Sequence, residues 1–155
     1  MLLRTILIGA TALTLVGCGS QAVEMSSADV NLNTRWNGTL ASPPNLAGAV
    51  QMSGSASMAP SGDRMTHVRV NLANATPGGQ HPWGLHRGQC DRDQGVVGER
   101  SAYNALKIEG DGRAQTSADV DFHTPTSGSF SVWVMASEGN RSMLVACANL
   151  APPSR

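Results

Sequence analysis

Residues 65–72 read MTHVRVNL and alternate without a slip: Thr66, Val68, Val70 and Leu72 fall on one side, Met65, His67, Arg69 and Asn71 on the other. A period of two marks a strand with one face in a core, because successive side chains of an extended chain point to opposite faces. The same signal recurs outward from this stretch. Gln115 to Phe122 sets Ala118, Val120 and Phe122 against Ser117, Asp119 and Asp121. Phe130 to Ala136 (FSVWVMA) and Met143 to Leu150 (MLVACANL) are the most apolar segments, so they are expected at the centre of a sheet. Shorter candidates are Arg35 to Leu40, Val50 to Ala59, Trp83 to His86 and Ala105 to Glu109. Pro, Gly, Asn and Asp clusters separate them, as at Ser42-Pro43-Pro44, Ser61-Gly62-Asp63 and Gly110-Asp111-Gly112. About eight short strands and no helical periodicity predict an all-β domain, an antiparallel sandwich or flattened barrel.

Composition agrees. The chain has 17 Gly and 8 Pro in 155 residues, which suits turn-rich β structure. Its formal net charge is +0, and Lys107 is the single lysine. Without a basic cluster a nucleic-acid partner is not expected.

The N-terminus predicts location. A short basic start, Met1-Leu2-Leu3-Arg4, precedes an apolar or small-residue run from Thr5 to Leu15, too short to span a bilayer. Leu15-Val16-Gly17-Cys18 then resembles the bacterial lipobox, in which the cysteine becomes the lipidated N-terminus. Residues 1–17 therefore read as a lipoprotein signal peptide, and residues 18–34, polar and unpatterned, as a flexible tether. Gly19, not aspartate, follows Cys18, so the usual inner-membrane retention signal is absent. The expectation is a domain over residues 35–151 held to the cell envelope by acyl chains, at the outer membrane if the envelope is Gram-negative.

Cysteine arithmetic follows. Of the 3 cysteines, an acylated Cys18 leaves Cys90 and Cys147, and an even remainder in an oxidising compartment reads as a disulfide. The competing reading of Cys90 as a free thiol or metal ligand would leave Cys147 without a partner.

Three landmarks stand in order: PGGQHPWGLHRGQC, GDGRAQTSADVDF and the closing FSVWVMASEGNRSMLVACANL. Together they resemble the copper/zinc superoxide dismutase-like domain family, and more closely its divergent lipoprotein members, over about Arg35 to Leu150. The resemblance implies an immunoglobulin-like Greek-key β-sandwich, with Cys90 and Cys147 as the family's disulfide pair. It also implies a metal site that this chain departs from. The two copper histidines of this strand fall at Gly84 and His86, and glycine has no ligand to offer. His81 falls on a histidine that is not a copper ligand. The last copper histidine falls at Met135, and the substrate-guiding arginine falls on Leu144, with Arg141 nearby but out of register. Between Cys90 and Leu106, where the family places zinc ligands, no histidine occurs.

No cofactor is therefore expected. Copper is the one alternative: His86 with Met135, helped by His81, would offer a soft donor set suited to Cu(I). Gap-filling is the plainer reading of Met135, and a hydrogen-bonded structural histidine the plainer reading of His86. His67 and His123 read as surface residues at strand edges, and Asp91 and Asp93 beside Arg87 and Arg92 as a solvated loop. Trp36, Trp83 and Trp133 read as core or patch residues. No nucleophile elbow supports hydrolysis. The functional expectation is a non-catalytic superoxide dismutase-like envelope lipoprotein with a binding or structural role. The alternative is a divergent superoxide dismutase or copper-binding protein.

Overall fold

A computed structural model describes residues 34–46 and 51–153. The signal segment, Cys18, the tether up to residue 33 and the expected strand start at Val50 lie outside these residues. Ten strands follow in chain order: β1 (Trp36–Ala41), β2 (Ser53–Pro60), β3 (Met65–Ala73), β4 (Gln80–His81), β5 (Trp83–Gln89), β6 (Arg92–Val96), β7 (Leu106–Lys107), β8 (Ala114–Asp121), β9 (Phe130–Ser137) and β10 (Asn140–Leu150). Eight of them form one antiparallel sheet in the order β6-β5-β9-β10-β1-β2-β3-β8, while β4 and β7 pair separately. No α-helix occurs among the described residues. The domain is all-β.

The alternation in MTHVRVNL is what fixes β3. Thr66, Val68, Val70 and Leu72 are buried, and the intervening residues face outward. On either side, β3 pairs in unbroken register with β2, Met58 opposite Val68, and with β8, Val68 opposite Ala118. The apolar β9 and β10 lie inside the sheet as expected. The sheet curls so that Trp36, Leu40, Met58, Val70, Leu85 and Val132, each fully buried, share one core. Burying each large apolar side chain contributes about 1.5–3 kcal/mol. The curl brings the two ends of the strand order together: Gly98, just beyond β6, lies so close to β8 that a Cβ there would overlap the Val120 side chain. Its φ of +70° is one that glycine adopts without strain. Buried polar tips are satisfied: Trp36 Nε1 donates to the Pro125 carbonyl (3.0 Å), Trp83 Nε1 to the Asn104 carbonyl (2.7 Å), and Tyr103 Oη to the Val97 carbonyl (2.6 Å). Burial pushes the Tyr103 phenol up to about 12.

The main sheet has eight strands, but not the eight expected. Arg92–Val96, read from sequence as solvated loop, is β6 and pairs with β5. Ala105–Glu109, read as a strand, contributes only Leu106–Lys107 to a two-residue ladder with β4. Leu106 and Ile108 are nonetheless both buried, as their alternation requires. Phe122, expected in strand, follows the end of β8 half-buried and carries the Arg87 guanidinium 5.3 Å from its ring centroid.

Candidate functional site

His86 and Met135 lie on the outward face of β5 and β9. Along β5, Trp83 and Leu85 point into the core, so Gly84 and His86 point away from it. The register sets Gly84 opposite Trp133 and His86 opposite Ser131. His86 is nevertheless only 5% exposed, because its imidazole lies flat against the Trp133 indole, centroids 5.0 Å apart and planes 16° apart. The indole Nε1 donates to Ser131 Oγ (2.9 Å), which holds it in place.

Asp93 of β6 orients the imidazole. His86 Nδ1 and Asp93 Oδ1 are 2.8 Å apart, and the same oxygen accepts the Gly95 amide at 2.8 Å. A carboxylate only accepts, so Nδ1 carries the proton and the neutral ring leaves its lone pair on Nε2. Burial acts to raise the Asp93 carboxyl, but the hydrogen bonds from His86 and Gly95 and the nearby Arg100 charge outweigh it and hold it below the ordinary carboxylate value. Nε2 is buried and has no hydrogen-bond partner. It faces the gap left by Gly84, where a Cβ would stand 3.6 Å from Nε2 and 3.3 Å from Val96 Cγ2.

The other candidates lie apart from it. His81 Nδ1 donates to the Met135 carbonyl (3.1 Å), which ties the end of β4 to β9. Met135 is buried on the outward side, and its amide donates to the Pro82 carbonyl (2.8 Å). Four residues of β9, about 13 Å of strand, separate Met135 from Ser131 opposite His86, and Trp133 stands between. His86 and Met135 share a face without being neighbours, so the structure does not bring the expected pair together. Among the described residues no three of His, Cys, Asp and Glu gather as a metal-holding group.

Cys90 and Cys147 form the expected disulfide, with Cα atoms 5.9 Å apart. It ties the turn after β5 to β10 across the outward face, and the Cys90 amide adds a bond to Asn149 Oδ1 (2.8 Å). Two readings of the surrounding residues change. Asp93 is not a free loop carboxylate but the partner of His86. His67 and His123 lie at the surface as expected, but His67 is in mid-sheet and not at a strand edge, with Nδ1 2.9 Å from Asp119 Oδ1, and His123 Nδ1 donates to the Asp63 carbonyl (3.0 Å). Arg141 is engaged by Glu138 at the β9–β10 hairpin (Nε to Oε2 2.9 Å).

Sequence reasoning missed Asp93 and the stacking role of Trp133. For Trp133 a signal existed: alternation in FSVWVMA sends Phe130, Val132 and Val134 inward and leaves an aromatic ring on the outward face. For Asp93 none did, because its role arises only once β6 folds back on β5. Compared with known proteins, the chain matches no family model and no curated protein sequence.

Proposed function

We propose that the chain is an envelope lipoprotein whose superoxide dismutase-like domain carries no catalytic copper and serves as a binding or structural module. The observation that carries this reading is the solitary Nε2 of His86. Superoxide dismutation needs a copper ion that cycles between two oxidation states in a cage of several imidazoles, with a cation nearby to draw in the anion. Here Gly84 supplies no donor, Trp133 fills the space over His86, His81 is tied to the Met135 carbonyl by one nitrogen, and Arg141 is engaged by Glu138. This donor set does not fit such a centre. The fold half of the reading is supported by the three connections between non-neighbouring strands, β3 to β5, β6 to β8 and β8 to β9, which suit a Greek key, and by the Cys90–Cys147 bond.

One observation favours the second reading, a divergent superoxide dismutase or copper-binding protein. A buried imidazole with Nδ1 held by a carboxylate and Nε2 free is how proteins present a metal ligand. A superoxide dismutation assay on the full chain, with and without added copper and zinc, separates the two. The first reading expects no catalysis above that of the free ions. Turnover by the protein that disappears in His86→Ala would establish the second.

A further inference from the structure

On the other half of the sheet from His86, the outward face of β1, β2 and β3 forms an open groove of ≈ 640 Å³. That volume is within the range of small-ligand sites, but such sites are mostly apolar and this one is not. Cross-strand pairing builds it in two polar rows: Asn37 faces Ser57 and Ser57 faces Arg69, while Thr39 faces Ser55 and Ser55 faces Asn71. Short side chains at Thr39, Ser55 and Ser57 keep the floor low. No Asp or Glu lines the groove, yet Arg35 and Arg69 both do. Neither arginine has an ion-pair partner among the described residues. The whole chain has a formal net charge of +0, so this is a local concentration of positive charge and not a general one.

We propose that this groove binds an acidic saccharide. Asparagine amides and serine and threonine hydroxyls both donate and accept, which is what vicinal sugar hydroxyls require. Guanidinium groups take carboxylates in two parallel hydrogen bonds. Two strand spacings across and two residues along put the Arg35 and Arg69 backbones about 12 Å apart, a span that their side chains close onto a disaccharide unit. Arg69 and Arg35 hold carboxylates, and Asn37 and Asn71 hold ring hydroxyls. The proposal does not rest on the lipoprotein reading, since no residue of the His86 face takes part.

Titration calorimetry of the full chain tests it, with a tetrasaccharide of alternating glucuronate and N-acetylglucosamine as the probe. Neutral chitotetraose and inorganic sulfate are the comparisons. The acidic tetrasaccharide is expected to bind at least tenfold more tightly than either, and less tightly as salt is raised. Arg69→Gln and Arg35→Gln are each expected to weaken binding roughly tenfold or more, as loss of a charge-assisted hydrogen bond does. Arg113→Gln, an exposed cation outside the groove, should bind as the wild type does, and all three variants should keep its melting temperature. Absence of binding, equal binding of chitotetraose, equal binding of sulfate, or Arg35 and Arg69 variants that bind like the wild type would each overturn the proposal.

Discussion

Three neighbours hold His86, each in a different way: Trp133 by stacking on the ring, Asp93 by accepting from Nδ1, and Gly84 by leaving room beside Nε2. Removing the acceptor leaves both ring nitrogens buried without a protein partner, so Asp93→Ala is expected to cost about 1–3 kcal/mol at pH 7. Asp93 is partly exposed, and solvent screening puts the effect toward the lower end. The sign of its pH dependence follows from the lowered carboxyl. The folded state favours the ionised form, so the stabilisation is present above the ordinary carboxylate range and fades as pH falls through the folded value. Urea denaturation should therefore show the gap between wild type and Asp93→Ala narrowing below about pH 4. A gap as wide at pH 3 as at pH 7 would mean that the charge contributes nothing. At this scale the sequence was partly legible. Alternation alone put Gly84 and His86 on one face, but pairs such as His67 with Asp119 are made across strands 52 residues apart in sequence, and no local pattern reports them.

Strands announced themselves where one face is apolar and the other polar. That is why β3, β8, β9 and β10 were readable to within a few residues, with β10 beginning at Asn140 and not Met143. In contrast, β6 reads RDQGV, which has no apolar alternation, and its strand form comes from the β5 backbone and from Asp93. Conversely, Leu106 and Ile108 alternate properly, yet Leu106 meets only the short strand β4, opposite His81, and Ile108 bonds the Gly78–Gly79 turn, with Ile108 N to the Gly79 carbonyl at 2.9 Å and Gly78 N to the Ile108 carbonyl at 3.0 Å. The disulfide links elements far apart in the chain, its cysteines separated by 57 positions. In the chain-entropy model, closing such a loop stabilises the fold by about 4 kcal/mol. Cys90→Ser with Cys147→Ser is expected to lower the melting temperature by roughly 10–20 °C. Non-reducing peptide mapping should recover the Cys90–Cys147 peptide from the native protein. Two free thiols in the native protein would contradict this pairing.

For the whole molecule, the all-β class followed from strand count and spacing, while the strand order followed from nothing local. It depends on the three connections between non-neighbouring strands and on β9 inserting between β5 and β10, which pairing energies across the sheet decide. The proposed lipid anchor belongs to this scale too, and it rests on Leu15-Val16-Gly17-Cys18. Cys18→Ala is expected to abolish acyl labelling and to move the protein from the membrane to the soluble fraction. Wild-type protein that is already soluble, with an unmodified Cys18, would refute the lipoprotein reading. The proposed function has the His86 face holding no copper. Its most direct measurement is an anaerobic competition titration of the full chain against a Cu(I) chelator, with a parallel Cu(II) titration, for wild type and His86→Ala. Equal uptake by the two proteins, far below one ion per chain, is expected. One copper ion per chain in the wild type, lost in His86→Ala, would contradict it.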